Sequence, residues 1–168
     1  MKKIRKLKEL PAGERIFIDA NIFHLYLRGP ENLKKECKEF LQRVETGEII
    51  GYTSPLVLDE LAYKLLLKIV EERCKRNPLE VIRENTLIIS SCASDLENGI
   101  FTILGIENLE IVNVTREHVE IMIDAMQKYF LLPRDAMHIA VMRTLGCRNI
   151  ASIDSDFDRV PKVIRWIP

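Results

Sequence analysis

The stretch IFIDANIF, residues 16–23, decides the fold. Three apolar residues of the kind that form strands are followed at once by Asp19 and then by apolar residues at helical spacing. The pattern predicts a buried strand that runs into a helix, with a carboxylate at the junction.

The alternation of strand and helix continues along the chain. Further strands are predicted at residues 49–53, 109–114, 150–153 and 163–166, with helical patterns between them. Strands that alternate with helices indicate a parallel sheet covered on both faces. The sequence therefore predicts a three-layer, Rossmann-like α/β fold with a central parallel sheet flanked by helices.

Helix signals divide the chain further. Ser54-Pro55 and Asn77-Pro78 each supply a capping side chain and a proline for a helix start. The helical stretch that begins at Pro78 is expected to continue to about Leu104. Residues 64–105 hold more helix than one crossover needs, so we expect an extra helical insert of two or more helices packed on the domain. The predicted division is a basic N-terminal extension over residues 1–14 and one domain over residues 15–168.

Composition narrows the class of protein. The chain has 168 residues, 47% hydrophobic and 30% charged, which suits one folded domain. Its net charge of zero gives no bulk support for a nucleic-acid partner. The four cysteines lack metal-site spacing and are expected to be free thiols. With no membrane span or signal peptide predicted, we expect a cytoplasmic protein with no membrane partner.

Four acidic residues are expected to meet at one edge of the sheet. Asp19 and Asp154 follow strands, while Glu60 and Asp135 lie near the starts of helices. The carboxyl ends of parallel strands form the ligand-binding edge of such sheets. Two like charges about 4 Å apart repel by about 4 kcal/mol at an effective dielectric near 20. Mg²⁺ or Mn²⁺, which prefer oxygen ligands, would relieve that repulsion.

Four sequence motifs carry a resemblance to a known family. They are FIDANI at 17–22, SPLVLDEL at 54–61, PRDAMHIA at 133–140 and ASIDSDF at 151–157. In this order they resemble the motifs of PIN domains, and most closely the VapC toxin-like branch. The resemblance implies an endoribonuclease that acts on single-stranded RNA with Mg²⁺ or Mn²⁺, is often dimeric, and is in some cases paired with an antitoxin. By this resemblance the catalytic, metal-binding residues are Asp19, Glu60, Asp135 and Asp154.

Neighbouring acids compete for these roles. Glu60 is preferred to Asp59 because it shares a helix face with apolar residues, whereas Asp59 is expected in solvent. Asp156 is expected to bind a metal through water or to support the site. Asp158 is expected in a surface turn.

Several polar residues are candidates for supporting roles. Asn21 and Ser152 are expected to orient carboxylates, with simple turn or strand polarity as the alternative. His138 lies one turn after Asp135 and is expected to be partly buried and hydrogen-bonded, with metal ligation as the alternative. Arg134 is the candidate for RNA binding at the pocket mouth. A basic rim is expected to include Arg28, Arg148 and Arg159.

Two other functions remain open at this point. One is a catalytically silent PIN fold that binds RNA or protein. The other is a phosphatase, although Asp19-Ala20-Asn21 lacks the second aspartate of an Asp-x-Asp nucleophile motif. Some apolar surface of residues 56–104 is expected to form a homodimer contact.

Overall fold

The structure, a computed structural model, describes residues 5–168. Its strands are β1 (Arg5–Lys6), β2 (Arg15–Ile18), β3 (Ile50–Thr53), β4 (Leu109–Ile111), β5 (Asn149–Ala151) and β6 (Ile164–Ile167). Its α-helices are α1 (Ala20–Arg28), α2 (Glu31–Glu45), α3 (Pro55–Cys74), α4 (Pro78–Glu84), α5 (Leu87–Ser91), α6 (Ala93–Leu104), α7 (Arg116–Tyr129) and α8 (Pro133–Thr144). Short 3-10 helices cover Leu7–Glu9 and Ser155–Arg159.

The six strands of this region form one sheet in the order β1-β6-β5-β2-β3-β4, and every pair is parallel. Strand β2 lies inside the sheet, where Phe17 is in register with Tyr52 on one side and Ile150 on the other. Helices α1, α2, α3 and α6 pack together, and α7 pairs with α8. The predicted α/β fold with a central parallel sheet is confirmed.

The N-terminal segment adds a strand that the sequence did not predict. Strand β1 pairs with β6, and the adjoining Leu7 and Leu10 are buried. The Arg43 guanidinium donates hydrogen bonds to the carbonyls of both leucines. The part of the basic N-terminal extension from Arg5 onward is therefore packed on the domain, while its first lysines, Lys2 and Lys3, lie outside the described residues.

The helical insert is more broken than expected. The helical stretch predicted from Pro78 to about Leu104 is divided into three helices, α4, α5 and α6, which agrees with an elaboration of two or more helices but not with one unbroken stretch. Asn85 ends α4 in an extended conformation, and its side-chain oxygen accepts a hydrogen bond from the Leu87 amide. Such Asx turns compete with the helical hydrogen-bond pattern, which explains the break.

Two strands end earlier than predicted. Edge strand β4 stops at Ile111, opposite Thr53, because its one partner β3 ends there. Strand β5 stops at Ala151: the Ser152 amide still bonds to the carbonyl of Trp166, but the Ile153 amide bonds to the Asn21 side chain and not to a neighbouring strand. The residues that follow the early end of β5 take part in the site described below.

Helix starts follow the predicted positions, but one cap differs. Asn77 accepts hydrogen bonds from the amides of Leu79 and Glu80, as a capping residue should. Ser54 precedes α3, yet its hydroxyl makes no capping bond, and this buried oxygen has no partner within residues 5–168. The cysteines are free, as expected.

Close packing at Gly51 generates a test of the fold. A Cβ at this position of β3 would lie 2.6 Å from a methyl group of Val44, whose branched side chain is buried. We expect Gly51→Ala to lower the free energy of unfolding by about 1–3 kcal/mol, measured by urea denaturation.

Two further variants make that test specific. Adding Val44→Ala should cost less in the Gly51→Ala background than in the wild type. Gly99→Ala, where the added methyl meets only the ends of the Leu65 and Leu27 side chains, should be neutral or stabilising within its helix. A Gly51→Ala protein as stable as the wild type would contradict the packing.

Candidate metal centre

The site lies at the carboxyl edge of the sheet. Asp19 directly follows β2 and Asp154 follows the neighbouring strand β5. The chain adds β3 and β4 on one side of β2 and then returns to form β5 on the other, so the strand order reverses here. That reversal point is where open α/β sheets bind ligands.

Asp19 is buried and held by a hydrogen-bond network. Its Oδ2 accepts from the Ser152 hydroxyl at 2.7 Å and from the Asn21 amide, while Oδ1 accepts from the Ala20 backbone at 2.7 Å. Asn21 also donates to Ser152 at 2.9 Å and accepts from the Ile153 amide. Both predicted supporting residues thus contact Asp19, although their role in metal binding stays a prediction. Burial raises the pKa of Asp19 despite the nearby His138.

Glu60, in the second turn of α3, faces the site, whereas Asp59 faces solvent. Their side chains are 16% and 68% exposed. The Lys64 ammonium lies 2.8 Å from Oε1 of Glu60, and Oε2 lies 3.8 Å from both Arg134 and His138. His138, followed by Lys64, holds the pKa of the Glu60 carboxyl at about 2 against the effect of burial. The carboxylate is therefore ionised and has one oxygen turned toward the site.

His138 differs most from its expected role. The ring is fully buried, and neither nitrogen has a hydrogen-bond partner within the described residues, so the expected hydrogen-bonded, partly buried histidine is wrong. Its Nε2 lies 3.9 Å from Oδ1 of Asp19 and 3.8 Å from Oε2 of Glu60. The ligand atoms of these three residues lie within 4.8 Å of one another. A buried nitrogen without a partner beside two carboxylates fits a divalent cation.

Asp135 lies in the first turn of α8 and is partly buried. Burial, and then the charge of Asp154, raises its pKa to about 6. Asp19 and Glu60 also raise it, and His138 opposes them. All four predicted carboxylates are therefore close enough to interact, but Asp135 and Asp154 lie outside the tight group formed by the other two with His138.

The acids after β5 have separate contacts. Asp154 caps the 3-10 helix by accepting a hydrogen bond from the Asp156 amide at 2.8 Å. The Asp156 carboxylate pairs with Arg159 at 2.8 Å, so its role as a water-mediated ligand stays a prediction. Asp158 receives two hydrogen bonds from Arg165, which makes it more than a surface turn residue.

An open cleft of about 620 Å³ leads to the carboxylates. Its walls are Leu56, Glu60, Met122, Leu132, Pro133, Arg134, Asp135, Met137 and Asp154. Arg134 lies at this cleft as predicted and is about half exposed.

The expected rim position of Arg148 is wrong, because this residue precedes β5 and lies at the opposite edge of the sheet. Arg28 ends α1 and pairs with Glu72.

For His138, the sequence alone favoured a hydrogen-bonded role over a role as a metal ligand, and the structure does not agree with the favoured one. Its spacing of three residues from Asp135 places both on one helix face, and that signal was present in the sequence. The burial of the ring and the direction of Nε2 depend on α3 and β2, which a local pattern does not report.

The fold and site together define a class: a parallel α/β domain with a carboxylate-lined pocket at its strand ends. Residues 16–163 match the family model of the PIN domain. The chain belongs to the PIN-domain family, as its four motifs predicted.

One curated protein is similar to this chain in sequence, and several solved structures are similar to it in fold. The chain is 31% identical over 148 residues to Ribonuclease VapC2 of Methanocaldococcus jannaschii, covering 87% of this chain and 89% of the relative. A toxin-antitoxin complex from Klebsiella pneumoniae has a TM-score of 0.56 at 16% identity, covering 89% and 95% of the two chains. The Sarcin-Ricin loop cleaving toxin VapC20 of Mycobacterium tuberculosis has a TM-score of 0.52 at 18% identity, covering 85% and 92%.

The raised pKa of Asp135 predicts a pH-dependent stability of the metal-free protein. The unfolded chain loses this proton near its ordinary pKa of 3.8, but the folded protein keeps it to about 6, so stability falls across that window. We expect Asp135→Asn to raise the free energy of unfolding by about 1 kcal/mol at pH 7, after discounting for partial exposure. The gain should shrink toward pH 4 in urea denaturation with EDTA.

The control is a variant that should change the free energy of unfolding at pH 7 in the opposite direction. The Lys128 ammonium and then Arg143 lower the pKa of Asp124, so Asp124→Asn should destabilise the protein at pH 7. A gain from Asp135→Asn that is equal at pH 4 and pH 7 would exclude ionisation as its cause.

Proposed function

We propose that this protein is a metal-dependent endoribonuclease that hydrolyses phosphodiester bonds of single-stranded RNA. The observation that carries the proposal is the convergence of Asp19, Glu60, Asp135 and Asp154 at one edge of the sheet, beside a buried and unpartnered His138. The relative named Ribonuclease VapC2 supports the same reaction.

The chemistry follows from the donor set. Mg²⁺ or Mn²⁺, bound by these carboxylates, would lower the pKa of water and offset the charge that develops on the phosphate. Within the protein, Ser152 and Asn21 keep Asp19 oriented, so that no reorganisation is needed during the reaction. Glu60 is ionised at neutral pH and needs no deprotonation to bind a cation.

RNA binding is assigned to the mouth of the cleft. Arg134 reaches toward both Asp59 and Glu60 with a half-exposed side chain, so it can contact a phosphate beside the carboxylates. An arginine placed beside an acidic pocket explains how a chain with no net charge would hold a polyanion.

Partners are proposed on the same basis. Similarity to a toxin-antitoxin complex supports a toxin role with a protein antitoxin. Exposed apolar side chains on α3 to α6, including Tyr63, Leu87 and Phe101, support the homodimer contact expected there.

No helix within residues 5–168 is long and apolar enough to cross a membrane. We further propose a cytoplasmic location, where free thiols persist.

The nuclease proposal predicts a metal requirement and a matched pair of variants. Cleavage of a fluorescent single-stranded RNA should require Mn²⁺ or Mg²⁺ and stop with EDTA. Asp19→Asn and Glu60→Gln should reduce the rate by about a hundredfold or more, since even groups behind metal ligands contribute about 10–100-fold.

Asp59→Asn is the matched control for Glu60→Gln because it removes an adjacent but exposed carboxylate. It should keep the wild-type rate within about twofold. Undiminished cleavage by Asp19→Asn would refute the mechanism. RNA binding without cleavage, and without metal binding at millimolar concentration, would favour a silent binding module.

Phosphate contact by Arg134 predicts a change in salt dependence. RNA binding is measured in the Asp19→Asn background so that the strand stays intact. Arg134→Gln should weaken binding and reduce the slope of log affinity against log salt by about 0.7, the value for one phosphate contact on a single strand.

Arg76→Gln supplies the comparison, because Arg76 pairs with Glu84 in the helical insert and does not line the cleft. It should leave both affinity and slope unchanged. An equal loss from both variants would mean that Arg134 acts only through overall charge.

A further inference from the structure

The carboxylates of Asp19 and Glu60 are oriented so that one oxygen of each faces the His138 ring. Other groups orient both neighbouring carboxylates: Ser152 and Asn21 hold Oδ2 of Asp19, the Ala20 amide bonds to its Oδ1, and Lys64 holds Oε1 of Glu60. Oδ1 of Asp19 and Oε2 of Glu60 are the oxygens that lie nearest to Nε2 of His138. The three groups therefore point ligand atoms at a common position.

The distances rule out direct hydrogen bonds but suit a shared ion. Separations of 3.8 and 3.9 Å exceed the usual limit of about 3.2 Å for a hydrogen bond from nitrogen to oxygen. Two metal–ligand bonds of about 2.1 Å placed end to end span about 4.2 Å. One cation can thus contact Nε2 and either oxygen without moving the helices.

Leaving the ring without a partner is costly. A buried polar group that lacks a hydrogen bond costs about 1–3 kcal/mol, and His138 is fully buried with two such nitrogens among the described residues. An apolar residue in this place on α8 would avoid that cost. A bound cation supplies the missing partner for Nε2.

Extending the proposed function, on which this inference rests, we propose that His138 is a direct metal ligand through Nε2, together with Asp19 and Glu60. Mg²⁺ takes oxygen ligands almost entirely, whereas imidazole nitrogen binds first-row transition ions. The site therefore prefers a divalent transition-metal ion to Mg²⁺. The carboxylates of Asp135 and Asp154 lie outside the tight group and line the cleft beside it.

The decisive measurement is pulsed electron paramagnetic resonance of the untagged protein loaded with Mn²⁺. A directly bound imidazole gives a nitrogen modulation of the manganese signal, and labelling histidine with ¹⁵N should change its frequency. We expect the wild type to show this modulation and His138→Gln to lose it.

The other two histidines serve as controls. His24→Gln should keep the modulation, and both ring nitrogens of His118 are already engaged by Thr115 and Thr144. Competition titrations give a second readout. His138→Gln should weaken Mn²⁺ binding by about tenfold or more and change Mg²⁺ binding by less than about threefold, while His24→Gln changes neither.

The outcomes separate the two proposals. Mn²⁺ bound at the carboxylates without nitrogen modulation in the wild type would overturn histidine ligation and leave the nuclease proposal standing. A wild type that binds neither ion at millimolar concentration would overturn both. If His138→Gln fails to fold, as judged by circular dichroism, the labelled wild type and His24→Gln still decide the question.

Discussion

Mutual repulsion among carboxylates at one edge of a parallel sheet is the constraint on which this site depends. Asp19 is buried, and the loss of solvation disfavours its charged form and raises its pKa. Hydrogen bonds from Ser152, Asn21 and the Ala20 amide offset part of that cost and hold the side chain in one orientation. Ser152 lies directly after β5: its backbone amide still bonds to the carbonyl of Trp166 in β6, while its hydroxyl reaches across to Asp19 at the end of β2.

Sheet topology brings the remaining groups to the same place. Strands β2 and β5 are neighbours although most of the chain separates them, and α3 and α8 each begin near the carboxyl edge. Glu60 and His138 lie a turn or more inside those helices and so come close to Asp19, and Glu60 also lines the open cleft together with Asp135 and Asp154. The result is a tight group of Asp19, Glu60 and His138 with two further carboxylates outside it.

Cationic side chains partly balance the inner group. Lys64 contacts Glu60 from the same helix, and Arg134 approaches it from α8. Both are exposed enough to exchange their contacts with solvent, unlike the buried His138. Lys64 and Arg134 therefore offset part of the negative charge of Glu60 from its more exposed side.

The sequence by itself determined the α/β class, the PIN family and the four acids, because period-two and helical patterns, proline helix starts and strand-end aspartates are local signals. It also distinguished Glu60 from Asp59 by helix face. Tertiary structure alone decided the pairing of β1 with β6 and the direction of His138 Nε2, because both depend on contacts between segments that are distant in the sequence. The break of the insert at Asn85 has a local cause, the Asx turn to Leu87, but the choice between that turn and a continued helix is not fixed by the helical pattern.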